Sequence, residues 1–224
     1  WGAGEDSICL TDIIFGKPVA GSRAAADCRV RSDERTGSWQ CVDESASPPH
    51  VLVQARMAPS AVEWSLKSAG REIKVETDGR RSEWAQAGVQ SRRAAPQTTI
   101  LDLAPQHATA KAGNLSSCLE ALSAVATACL SEDTSMREGA FYPFRAGKIF
   151  FHPCAGEAVA RLQLKCDENA NSLDVIGEAT DGSSVLKIED FQWRWAGAGG
   201  GPVTKPIRAA DVRRALVGDP VVGS

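Results

Sequence analysis

Apolar positions in this chain come in short bursts, and their spacing sets the first expectations. In residues 6–15, "DSICLTDIIF", Ile8, Ile13 and Phe15 stand among polar residues and predict a short helix stopped by Gly16 and Pro18. Residues 16–50 are rich in glycine, proline, serine and charge and read as a long ordered loop. "HVLVQARM" (50–57) alternates briefly and predicts a strand. Over 59–70, Ser60 and Glu63 form a capping box and Gly70 suits the stop, which predicts a helix. Ile73 and Val75 alternate ahead of Asp78-Gly79, a strand with a hairpin turn, and "TTILDL" (98–103) predicts a further strand.

The clearest helix is 116–131. Ser117 and Glu120 form its capping box, and Leu119, Leu122, Val125 and Cys129 step at helical intervals. Residues 147–151 and 158–166 predict strands around a turn at 152–156, and 172–193 predicts a hairpin turning at Asp181-Gly182. The Gly-rich stretch 196–201 then leads to a short basic helix in "IRAADVRRALVG". Helices alternating with strands give an α/β (α+β) expectation: one domain over 1–224, with a core over 1–195 and a C-terminal extension over 196–224.

Length and composition suit an ordinary globular core, and a net charge of −3 gives no reason to expect nucleic acid as partner. No apolar run reaches the ~18 residues of a membrane span. A start at Trp1 reads as a trimmed product, compatible with secretion. Seven cysteines, Cys9, Cys28, Cys41, Cys118, Cys129, Cys154 and Cys166, change the picture most. None forms a CxxC pair, and His152-Pro-Cys154 has only His50 and His107 to complete a metal set, so neither metal nor cofactor is expected. Three disulfides, one odd thiol and an extracellular location are expected instead. At ~1.5 Å per residue Cys118 and Cys129 would lie about 16 Å apart on one helix, and Cys154 and Cys166 roughly 40 Å apart in extended chain, too far to bond each other. Staples from the helix to the sheet or to the loop follow, with connectivity open.

Catalytic motifs are absent: there is no GxSxG, P-loop, HExxH or dinucleotide fingerprint. The pairs Arg80-Arg81, Arg92-Arg93 and Arg213-Arg214 are the candidates for contact with an anionic glycan, and Asn114 is a candidate glycosylation acceptor. "QWRWAGAGGG" reads either as an aromatic platform or as tryptophans closing the core edge. Two rival functions stay open: a secreted hydrolase using His107 or His152 with a carboxylate, and a module whose Cys28–Cys41 loop inserts into a partner.

The order of features resembles the GPI-anchored surface antigens of the coccidian parasite Eimeria. "CLTDIIFGKPVAG", "WQC", "CLEAL", "GKIFFHPCAGEAVARLQLKC" and "SSVLKIEDFQW" carry the resemblance over Cys9 to Trp193. It implies a three-layer α/β/α sandwich like that of the CAP superfamily, with long loops and disulfide staples. It also implies a non-enzymatic protein displayed at the cell surface through a lipid anchor since removed, meeting host receptors, glycans and antibodies. Val185 stands where that pattern would carry its last cysteine.

Overall fold

Strands claim far more of the chain than these patterns suggest. The computed structural model describes residues 8–16, 28–45, 47–58, 73–75, 89–94, 98–103, 118, 122, 139–151, 159–166 and 172–197. In chain order the strands are β1 (Ile8–Phe15), β2 (Cys28–Asp33), β3 (Ser38–Asp43), β4 (His50–Ala58), β5 (Ile73–Val75) and β6 (Val89–Ala94). After them come β7 (Thr98–Leu103), β8 (Gly139–Phe151), β9 (Arg161–Cys166), β10 (Leu173–Glu178) and β11 (Ser184–Gly197). They form one 11-stranded sheet in the order β2-β3-β4-β1-β8-β11-β10-β9-β7-β6-β5. Every pairing is antiparallel.

One face of this sheet carries the core. Leu101, Leu162, Leu164, Val175, Ile188 and Phe191 are all fully buried there. Cys118 and Leu122, four residues apart, are both helical and both fully buried in the same cluster. The rest of the helix predicted over 116–131, the helix predicted over 59–70 and the basic segment beyond 197 lie outside the described residues.

The three-layer α/β/α expectation is therefore replaced by an almost wholly antiparallel β architecture. The segment 6–15 shows why the pattern misled. Asp12 has a left-handed backbone (φ 52°), which interrupts alternation, so that Leu10, Ile13 and Phe15 all turn to the core. A three-residue step between buried positions mimics a helix, although the segment is strand β1, paired on both sides with β4 and β8. The same offset recurs across the sheet. Asp190 in β11 has φ 55°, and between its carboxylate and Asp12 lies Gly147 of β8. A Cβ on Gly147 would lie only 2.9 Å from Asp190 Oδ2, so any larger residue at this rung would have to displace the Asp190 side chain. Aspartate tolerates the left-handed region better than most residues. Inward positions shift together on all three strands, from Leu10, Ile149 and Ile188 to Ile13, Ala146 and Phe191.

Residues 16–50, expected as a loop, contain the hairpin β2–β3, which turns through Gly37 at φ 62°. Strand β2 is an edge, and its side chains are mostly exposed and charged. Its Arg29 and Arg31 reach Glu44 at 3.0 and 2.8 Å. Backbone pairing, not burial, makes it a strand, so hydropathy carries no trace of it.

The disulfide expectation is also corrected. No disulfide joins Cys9, Cys28, Cys41 and Cys118 to one another, and Cys41 and Cys118 are free thiols. Cys28 faces Asp43 and Cys41 faces Val30, so the two cysteines are diagonal neighbours on one face of the hairpin. Diagonal positions are roughly 7–8 Å apart, beyond disulfide reach. Cys118 and Cys9 are buried as small apolar side chains. Cys129 and Cys154 lie outside the described residues, and Cys166 closes β9.

Candidate functional site

The hairpin β3–β4 brings together the groups with the most chemical capacity. Trp39 pairs with Ala55 and Cys41 with Val53, and Trp39, Ala55 and Val53 all pack in or against the core. The register then shifts: Val42 pairs with Val51 and Asp43 with His50, leaving Leu52 as one extra residue in β4. Strict alternation from Ala55 and Val53 would turn Val51 inward and His50 outward. The bulge reverses this, and His50 takes the face of Val53, opposite Asp43. Among the described residues, Val53 packs against the core cluster and Val51 does not, as that reversal requires.

Asp43 is 6% exposed, an unusual degree of burial for a carboxylate. Its Oδ1 accepts from the Ser45 hydroxyl at 2.5 Å and from the Ser45 backbone N–H at 2.9 Å. These bonds, the hydroxyl first, hold its pKa below the ordinary value against the opposing effect of burial, and the His50 charge adds to the lowering. Because the folded-state pKa is depressed, this contribution to stability is present above the ordinary carboxylate pKa and is lost as pH falls through the lowered one. At neutral pH Asp43 is a carboxylate beside an imidazole. Directly opposite residues of an antiparallel pair have Cβ atoms about 5 Å apart, close enough for the carboxylate to orient the ring and stabilise its cation.

Other polar groupings are structural. Asp102, Arg161 and Glu178 form one rung across β7, β9 and β10, with Arg161 Nε 2.9 Å from Asp102 and Nη1 3.7 Å from Glu178. Gln163 also donates to Glu178. Solvent-screened pairs of this kind are worth about 0–1 kcal/mol each. Among the described residues no group of three or more His, Cys, Asp or Glu could hold a metal ion. Trp193 is buried in the core with its ring edge-to-face on Phe191 at 4.9 Å.

Few of the sequence-predicted sites fall among the described residues. Arg92 and Arg93 lie on β6, opposite Leu101 and Ile100 of β7. Arg80, Arg81, Arg213, Arg214, Asn114, His107 and His152 lie outside the described residues. Cys118 is fully buried, and burial pushes its thiol well above the ordinary range, which removes it as a nucleophile at neutral pH. Thiol labelling checks this: an alkylating reagent should reach half-buried Cys41 in the native protein and Cys118 only after denaturation. Rapid native labelling of Cys118 would contradict its burial.

His50 entered the sequence reading only as a spare metal ligand, and Asp43 did not enter it. A His and an Asp at the two ends of a short polar segment between strands was the available signal. It became visible once 38–43 was known to be a strand.

No protein-family model and no curated protein matches this sequence. Solved structures do match. GphF dehydratase 1 aligns with a TM-score of 0.61 over 86% of this chain and 77% of its own, at 15% identity. The dehydratase domain of PpsC from Mycobacterium tuberculosis, in complex with C12:1-CoA, aligns at 0.59 over 87% and 77%, at 10% identity. The dehydratase domain from the CurK module of curacin polyketide synthase aligns at 0.55 over 89% and 77%, at 11% identity. The fold is that of the polyketide synthase dehydratase domains. This hotdog-like fold overturns the resemblance to surface antigens and to CAP proteins. The non-enzymatic adhesive role, the lipid anchor and the receptor, glycan and antibody partners rested on that resemblance and fall with it. The rival hydrolase rests on His107 and His152, which lie outside the described residues.

Proposed function

We propose that this protein catalyses acid–base loss of water from a 3-hydroxyacyl thioester, with His50 as the base and Asp43 holding it. The carrying observation is the bulge that turns His50 to the inner face beside a buried carboxylate, within a fold shared with dehydratase domains. The thioester carbonyl acidifies the hydrogens on the adjacent carbon. His50 removes one of them, the electron pair forms the new double bond, and the bond to the β-hydroxyl breaks. The proton now on the imidazolium passes to the departing hydroxide, giving a 2-enoyl thioester and one water with no external oxidant or reductant. Asp43 stabilises the imidazolium during the interval between the two transfers. The acyl group would be presented on coenzyme A or a carrier protein; the coenzyme A ligand in the PpsC dehydratase structure supports that class.

The test is incubation of the protein with a series of 3-hydroxyacyl thioesters of coenzyme A and pantetheine, followed by mass spectrometry. Loss of one water, and its reversal when the enoyl product is supplied, is expected. No exchange of water with any chain length in either direction would overturn the proposal.

A further inference from the structure

We infer that Gly16, through its bond to the bulge residue Leu52, is the positioning residue that aims His50 at the inner face. This rests on the reading of His50 as the base. Gly16 follows β1, whose last residue Phe15 pairs with Val53. The next rung of β4 is the bulge, and there the Gly16 N–H donates to the Leu52 carbonyl at 2.6 Å. A Cβ on Gly16 would fall 2.1 Å from the Val51 carbonyl oxygen and 3.1 Å from that of Leu52. Both clashing atoms are backbone, so no side-chain rotation relieves them. The bulge and the glycine fit each other: Leu52 is the residue that reverses alternation, and only a residue without a side chain can hold its carbonyl from this side. Alanine at position 16 must push Val51 and Leu52 away, and the register they set decides which face residue 50 occupies.

The inference is tested by geometry first and turnover second. In a Cys28→Ser background, Asp43→Cys with His50→Cys places thiols directly opposite each other on one face, at a separation suited to a disulfide. The Cys28 change is needed because position 28 also faces position 43. Oxidation should link 43 to 50 nearly completely, as read by peptide mapping. Adding Gly16→Ala should abolish the link, because residue 50 then turns to the other face. Deleting Leu52 as well removes the bulge and leaves residue 50 opposite 43 by plain alternation, so the link should return in the double change, which reports on aim even if Gly16→Ala alone folds poorly. In the protein with native His50, Gly16→Ala should lower kcat at least tenfold with KM little altered, and deletion of Leu52 should restore it. Equal cross-linking in the Gly16→Ala protein, or no return of the link when Leu52 is also deleted, would overturn the inference. Loss of the cross-link in a protein whose parent shows no turnover would uphold the positioning and remove the dehydration reading instead.

Discussion

Asparagine in place of His50 is expected to reduce water loss from a 3-hydroxyacyl thioester by about 10²- to 10⁴-fold, the usual worth of a positioned general acid–base group. The same side chain takes the proton and returns it, so both halves of the reaction should fail together. Asparagine keeps a polar group of similar size beside Asp43, so melting should change little. Asp43→Asn should have a smaller effect on kcat, since it leaves the base in place and removes only the charge that stabilises its cation. The Ser45 bonds to Asp43 would also be weakened, so this second variant should melt earlier than His50→Asn. Unchanged turnover in His50→Asn, measured beside the wild type with the same thioester, would show that the base lies elsewhere.

Alanine at Phe191 should have the largest effect on stability, about 3–5 kcal/mol. Phe191 is fully buried, on a strand paired with β10 on one side and β8 on the other. It meets Trp193 edge to face at 80°. Against a typical total of about 5–15 kcal/mol, that loss leaves little margin. Chemical denaturation should show a much lower midpoint with an unchanged slope. A loss below about 1 kcal/mol would mean that the centre of β11 is not the core described here. Aromatic pairs add about 0.5–1.5 kcal/mol beyond burial, so a double-mutant cycle with Trp193→Leu should detect coupling of that size.

Where a strand buries one face, its sequence could be read. β4, β7 and the β10–β11 hairpin with its Asp-Gly turn all carry alternating or continuous apolar patterns, and Cys118 and Leu122 are helical within the segment predicted as a helix. Where pairing replaces burial, as in β2, or where a left-handed aspartate offsets the alternation, as in β1, the same rules gave a loop and a helix. The candidate site failed for a related reason. Its two residues are seven positions apart and become partners only through the register of a hairpin whose first strand had not been recognised. The cysteines misled differently. Their number suggested cross-links, but Cys9 and Cys118 are buried as small apolar side chains and Cys28 and Cys41 sit one diagonal step out of reach.

The position of β1 in the middle of the sheet has a consequence for how the protein is made. Four strands, β1 to β4, emerge from the ribosome early and can pair among themselves, but one edge of β1 waits for β8, where Ile8 finds Phe151. Until that distant segment is synthesised, the nascent piece presents an open edge bearing Ile8 and Ile14, an invitation to pair with a neighbouring chain. Contacts this remote in sequence also form slowly. Release of a chain ending before residue 139 would therefore yield aggregate instead of a folded half, and expression of the whole protein should benefit from slower synthesis or a chaperone that shields strand edges.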